Sequence, residues 1–250
     1  GAIGHYWEQL GAPVYARAFT ANIARRKLDE HGHPESVVKV VQPYPEMIKC
    51  GPLTVSYLPI SHSIPESAGL LIDTPEGRVL HSGDFKIDET PVVGDPWNEA
   101  LWEEVSKDGV KALICDSTNV FSREPGRSEA SIGDAIADMM KEATGMVVAT
   151  TFASNIARLK TLAMAAQKAD RSVVLLGRAM RRMVEAATEV GILKGFPPVV
   201  SPEDALSMPR ENVMLLVTGS QGERRAASAQ LAQGNYMGIK LKDGDTFLFS

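Results

Sequence analysis

Three short apolar runs without a single charge constrain this 250-residue chain most. They are Gly145 to Thr151 (GMVVATT), Ser172 to Leu176 (SVVLL) and Val213 to Val217 (VMLLV). Each is too short for a buried helix and has the β-branched content of a strand covered on both faces. Helical patterns separate them. Ile156, Leu159, Leu162, Ala163 and Ala166 recur at helical spacing, Arg178 to Val190 is a second helix ended by Gly191, and a third starts at about Glu223. Strand, helix, strand, helix, strand implies a parallel sheet covered by helices, because parallel neighbours need a crossover.

The first half has another rhythm. A helix ends within Gly1 to Leu10, a short strand follows at Pro13 to Ala16, and Ala18 to Asp29 is helical. Leu53 to Ile60 alternates as a strand, and Ala68–Ile72 and Arg78–His81 flank the turn Thr74–Pro75–Glu76–Gly77 as a hairpin. Lys111 to Cys115 is expected to be a short buried strand ending at Asp116. The pattern breaks near Phe121 to Arg127, at Pro125 and Gly126, which divides the chain into residues 1–125 and 126–250. Charge divides it in the same place. The first part holds 11 Lys/Arg against 18 Asp/Glu, and the second 15 against 13. The acidic total of −5 argues against a purely electrostatic nucleic-acid binder and leaves room for a local basic patch in the second half. Two cysteines, Cys50 and Cys115, make no disulfide framework, and reduced thiols in a cytosol fit them. No apolar stretch is long enough to span a membrane, and no leader pattern follows Gly1.

Five segments carry candidate chemistry, each with a plainer reading beside it. His62, in Ser61–His62–Ser63–Ile64–Pro65–Glu66–Ser67, follows a strand and could ligate a metal, or be an ordinary loop histidine. Asp84, in His81–Ser82–Gly83–Asp84–Phe85–Lys86, could bridge two cations, or cap its own turn; His81 could support it or be a plain strand residue. Asp116, in Cys115–Asp116–Ser117–Thr118–Asn119, sits where α/β sites gather, or forms an Asx turn. In Thr151–Phe152–Ala153–Ser154–Asn155, Ser154 or Asn155 caps the next helix, whose free N–H groups suit a phosphate. Thr218–Gly219–Ser220–Gln221–Gly222–Glu223 could cradle an anion but lacks the Gly-Lys-Ser/Thr of a nucleotide-binding loop. Arg178, Arg181, Arg182, Arg224 and Arg225 could steer a polyanion, or be a solvated face with Glu185 as partner. His5, His31 and His33 have no usable spacing; His31–Gly32–His33 reads as a helix C-cap and turn.

In order and spacing, His-Ser-Ile-Pro-Glu-Ser, Gly-Asp-Phe-Lys, Asp-Ser-Thr-Asn, Phe-Ala-Ser-Asn and Thr-Gly-Ser-Gln-Gly-Glu resemble ribonuclease J, a metallo-β-lactamase-superfamily group with an inserted β-CASP domain. The resemblance runs from Gly1 to Ser250. It implies an α/β fold: residues 1–125 as part of a metallo-β-lactamase αββα sandwich and residues 126–250 as part of the β-CASP domain. It implies a zinc-dependent nuclease, exonucleolytic from the 5′ end and endonucleolytic, active in RNA maturation and decay in the cytoplasm. Two zinc ions are implied, with His62 on one, Asp84 bridging both, and Asp116 in a further acidic motif near the site. Two metals in such a site activate a water and stabilise charge on the phosphate. A single-stranded RNA 5′ end is implied at Ala153, Ser154 and Asn155, with Ser220 in the second anion turn, and a homodimer or homotetramer for the full-length protein.

The departures shape the expectation. The family's His-x-His-x-Asp-His should lie immediately before Gly1, and its last metal histidine and His-x-Ser-Gly-His beyond Ser250. Many relatives have histidine where this chain has Ala157. Only His62 and Asp84 then remain as ligands, so the chain is expected to be an internal stretch, inactive alone. Two other functions compete: a DNA nuclease or small-ester hydrolase on the same scaffold, and a non-catalytic RNA-binding module.

Overall fold

The computed structural model describes residues 2–123, 126–234 and 236–249. The chain forms two compact units, Gly1–Arg127 and Ser128–Ser250. Pro125, one of the two residues that break the sequence pattern, lies outside the described residues.

The first unit opens with α1 (Ile3–Leu10), β1 (Val14–Ala16) and α2 (Ala18–Asp29), then β2 (Val38–Val40), which pairs in parallel with β1. Ala21, Ala24 and Leu28 lie one α2 face apart and pack on Ala16 and Val38, with Ile3, Trp7 and Val14 closing the cluster. A five-stranded sheet follows from β3 (Ile48–Cys50), β4 (Leu53–Pro59), β5 (Ala68–Thr74), β6 (Gly77–His81) and, after α3 (Glu99–Ser106), β7 (Ala112–Ile114). Its spatial order is β3-β4-β5-β6-β7. The first four strands are antiparallel, and the β5–β6 hairpin closes at Thr74 opposite Gly77, as the sequence predicts. Strand β7 joins β6 in parallel, with His81 opposite Ile114. Leu58, Leu71, Leu80 and Val105 form the core beneath α3, whose first turn is capped by the Asn98 side chain accepting from Leu101 N–H at 3.2 Å.

The expectation of a buried strand at Lys111 to Cys115 is corrected. Strand β7 is exposed along its length, with Leu113 at 61% and Ile114 at 53%. Its apolar side chains read as core in the sequence, but β7 is the last strand of its sheet.

The second unit holds α4 (Gly133–Glu142), β8 (Val147–Thr150), α5 (Ile156–Lys168), β9 (Ser172–Leu176), α6 (Arg178–Glu189), α7 (Pro202–Ala205), β10 (Val213–Val217), α8 (Ala227–Ala232) and β11 (Thr246–Phe249). All pairings are parallel, in the order β11-β8-β10-β9. Every residue of β8 and β10 is buried, which explains why those runs carry no charge. Val148, Val174, Leu176, Val213, Leu215 and Val217 pack on Ala205, Ala227 and Leu231 from α7 and α8. The third helix begins at Ala227 rather than at Glu223, because residues 218–226 form two consecutive turns, Gly222 N–H to Gly219 C=O and Ala226 N–H to Glu223 C=O. Arg171, 5% exposed, clasps the end of α4: its guanidinium donates to the carbonyls of Met140 (3.0 Å), Gly145 (2.8 Å) and Ala143. Burial lowers its pKa from the ordinary arginine value.

Candidate functional site

The candidate residues fall on one sheet edge in each unit. In the first unit, β4, β6 and β7 all end at the same edge, because β4 and β6 both run antiparallel to β5 and β7 runs parallel to β6. The segment holding His62 leaves β4, that holding Asp84 leaves β6, and that holding Asp116 leaves β7. Short hydrogen bonds tie the three loops together. Lys86 N–H donates to Ser61 C=O at 2.8 Å, Ser82 N–H to Ile114 C=O at 2.8 Å, and Asp116 N–H to Ser82 Oγ at 2.9 Å. Ser67 Oγ donates to Asp84 C=O at 3.3 Å. Backbone groups and serine hydroxyls together therefore hold the edge.

Asp116 has the perturbed carboxylate. Its Oδ1 accepts from Thr118 Oγ1 at 2.6 Å and from Thr118 N–H at 2.9 Å, which is the Asx turn of the plainer reading. Those bonds hold its pKa below the usual carboxylate value, with smaller pulls from the Phe85 N–H and the His62 ring. Asp84 is exposed and His62 half-buried, its Nδ1 3.3 Å from Ser63 Oγ. His81 Nδ1 accepts the Gly83 N–H at 3.0 Å, so His81 braces the Asp84 turn. Gly83, with φ +62, brings that turn against Ala68 C=O, where a Cβ would sit 3.2 Å from the oxygen. As a test of the zinc expectation, no group of three or more His, Cys, Asp or Glu side chains among the described residues is placed to hold a metal ion. His62, Asp84 and Asp116 share an edge but do not by themselves make a metal centre.

Sequence reasoning passed over the residues that hold this edge. Ser61 and Ser82 are 5% and 4% exposed. Ser61 Oγ donates to Lys86 C=O and accepts Asp88 N–H at 3.1 Å, so one hydroxyl fastens two loops. Glu66 adopts φ +58, a left-handed conformation that side chains other than glycine rarely hold. Its carboxylate reaches α2, where Oε2 accepts Phe19 N–H at 2.6 Å and Oε1 lies 3.5 Å from Arg17 Nη2. Asp95 takes the same Arg17 nitrogen at 3.2 Å. Arg17 is 8% exposed, so a buried guanidinium with two partly exposed carboxylates joins the His62 loop to the start of α2. The clue in the sequence was a Glu directly after Pro65, inside the motif that carries His62.

In the second unit the carboxyl ends of β8, β9 and β10 share an edge, with Val217 level with both Thr150 and Leu176. Asn155, not Ser154, caps α5: its Oδ1 accepts Arg158 N–H at 3.0 Å. Ala153 and Ser154 stand half-buried in that turn. After β10, Thr218 Oγ1 accepts Ala227 N–H at 3.2 Å, and Gly219 (φ +119) packs so tightly that a Cβ would lie 1.9 Å from Ser228 Oγ. Ser220 Oγ is buried and has no hydrogen-bond partner among the described residues. An unsatisfied buried hydroxyl is costly, and here it stands at the edge where the sequence predicts an anion. Arg178, Arg181, Arg182, Arg224 and Arg225 are all exposed; Arg181 also donates to Leu175 C=O at 3.2 Å, and Arg182 and Glu185 are both engaged. Cys50 and Cys115 are free and exposed. No helix among the described residues is long and apolar enough to cross a membrane.

Comparison with known proteins follows the same division. Residues 144–250 match the β-CASP domain of ribonuclease J. Across its whole length the chain is 37% identical to a ribonuclease J from Sinorhizobium meliloti, covering 44% of that protein. It is 34% identical to ribonuclease J 1 from Streptococcus pyogenes, covering 45% of it, and 36% identical to a ribonuclease J from Synechocystis, covering 40%. The chain thus spans less than half the length of these relatives. In fold it is similar, with TM-score 0.55 and 17% identity, to the crystal structure of a protein of unknown function from Enterococcus faecalis, over 82% of this chain and 53% of that one. The family to which the five motifs pointed is the one the chain matches: ribonuclease J, along all of its length and, through residues 144–250, by its β-CASP domain.

Proposed function

We propose that this chain is the middle of a metal-dependent ribonuclease that degrades single-stranded RNA from its 5′ end and also cuts internally. The observation that carries the reading is the match to ribonucleases J over the entire chain. The first unit is part of a metallo-β-lactamase-like domain, and the second is part of a β-CASP domain inserted into it. His62 and Asp84 are two ligands of a dinuclear zinc centre whose other ligands come from the rest of the whole protein, with Asp116 beside them. Support comes from the convergence of three strand ends on one edge and from the bonds that fix the loops there. The 250 residues alone are inactive in this reading, since their own side chains do not complete a metal group. The whole protein works in the cytoplasm as a dimer or tetramer.

In the second unit, Ala153, Ser154, Asn155 and Ser220 hold the RNA 5′ phosphate. Support comes from Ser220 Oγ, which is buried and lacks a partner among the described residues; in the first turn of α5 the N–H groups of Ile156 and Arg158 are already taken by Ser154 C=O and the Asn155 cap. The test is cleavage by the whole protein of matched RNAs with a 5′ monophosphate or a 5′ hydroxyl, beside the same strand as DNA. Ser154→Ala should slow the monophosphorylated RNA more than the hydroxyl RNA. Equal slowing of both would remove the phosphate site. Equal cleavage of RNA and DNA by the unaltered protein would favour the DNA-nuclease reading instead.

A further inference from the structure

The second unit has a cavity at the opposite end of its sheet from the proposed RNA edge. It holds about 480 Å³, within the range of small-molecule sites, roughly 300–1,000 Å³. Met146 precedes β8 and Val213 begins β10, which places the cavity at the amino ends of the strands. Its lining is mixed: apolar side chains of Met146, Ala205, Leu206, Met208, Val213 and Ile239 make up about half of it, and polar groups the rest. Its rim is cationic, with Arg210, Lys240 and Lys242 lining it.

The three cations are not equivalent. Arg210 is committed to Asp245, with Nε 3.2 Å from Oδ1 and Nη2 on Oδ2, and also donates to Lys240 C=O at 3.2 Å. Asp245 is fully used: it also accepts Met146 N–H at 2.9 Å and Lys242 N–H at 2.8 Å. That ring of bonds fixes the rim and neutralises one positive charge. The Lys240 and Lys242 ammonium groups have no ion pair among the described residues, and both residues are exposed. The side of the cavity formed by residues 236–239 is closed by a Tyr236–Ile239 bridge, with Gly238 at φ +82 placed where a Cβ would lie 2.9 Å from Leu206.

We propose that this cavity binds a small amphipathic organic anion, its apolar body among Met146, Met208, Leu206 and Ile239 and its carboxylate or phosphate at Lys240 and Lys242. Apolar walls supply affinity and a few placed charges supply orientation, which is how small-ligand pockets work. Polarisable methionines on two sides accept varied apolar shapes. The site is independent of the metal edge and of the RNA edge, and so of the ribonuclease reading.

The experiment uses the whole protein with its methionine methyl groups labelled for NMR. Octanoate is the probe, with octanol and acetate as controls for body and charge. Octanoate is expected to shift the Met146 and Met208 methyl signals saturably, octanol to do so more weakly, and acetate not at all. Replacing both lysines, Lys240→Glu with Lys242→Glu, should weaken octanoate by about tenfold and leave octanol unchanged, given the modest worth of exposed charge pairs. Lys240→Gln with Lys242→Gln, with an unchanged thermal midpoint, serves if the charge reversal unfolds the unit. Absence of a saturable shift at either methionine would overturn the proposal. So would equal affinity for octanoate and octanol, which would leave the lysines without a role.

Discussion

At the scale of single residues, Asp116 takes the plainer of the two readings the sequence offered and keeps its place at the strand ends. It makes the Asx turn, and it also stands at the edge with His62 and Asp84. Turn chemistry and site chemistry use the same residue types at strand ends, so the sequence alone could not separate the turn, which the hydrogen bonds show, from a site role. Thr118 O–H is the largest influence on its carboxylate, and hydrogen bonds to the charged form lower a pKa. Thr118→Val should therefore raise the Asp116 midpoint toward the ordinary carboxylate value, while the remaining backbone N–H keeps it somewhat low. The contribution of this turn is present above the unfolded carboxylate pKa of about 3.9 and is lost as pH falls through the lowered folded value. Carboxyl-carbon NMR titration of the two proteins checks this; an unmoved midpoint would exclude the hydroxyl as the cause. Arg171 carried no signal in the sequence. Buried, it is the donor for three carbonyls around the end of α4. Arg171→Leu should destabilise the second unit by about 3 kcal/mol, since charged hydrogen bonds contribute about 1.5–3 kcal/mol each and the carbonyls are left unsatisfied. Urea unfolding measures it, and a loss under about 1 kcal/mol would show that water replaces the guanidinium.

At the scale of elements, strands buried on both faces were legible because nothing but apolar residues survives there. The spans at 172–176 and 213–217 match β9 and β10 end for end. Edge strand β9 was legible because it too is buried, but the edge strands β7 and β11 were not read correctly. Strand β11 pairs with β8 alone and is half-buried, so Thr246–Phe249 lacks the uniform apolar signal, and β7 carries that signal while exposed. Helix α4 also escaped notice, because Ala137 and Met140 are its only buried residues. The turn into α5 was legible in type, since Asn or Ser before an apolar helical pattern is a cap, but not in which of the two residues acts. Asn155→Ala should cost about 1 kcal/mol by loss of that cap, and Ser154→Ala much less. Thermal unfolding separates them; equal losses would show that Ser154 shares the cap.

At the scale of the whole molecule, the division into two α/β units was legible from the change of rhythm and of charge near residue 125, and the first unit begins and ends within two residues of that reading. The candidate site was legible as motifs on strand ends, and the strand register then brought His62, Asp84 and Asp116 to one edge. What holds that edge was not legible: the Arg17–Glu66–Asp95 triad joins residues far apart in sequence, and no local pattern announces a buried charge. Under the proposed function, Asp84 belongs to a metal centre completed by the rest of the whole protein; the chain spans 44% and 40% of two of its relatives. The most direct measurement is zinc content and RNA cleavage of the whole protein beside its Asp84→Ala variant, with folding checked by circular dichroism. Two zinc ions per chain and cleavage are expected in the unaltered protein, and loss of both metal and activity together in the variant. Cleavage above a few per cent in a folded, metal-depleted variant, or full zinc retention in it, would rule out Asp84 as a metal ligand needed for cleavage.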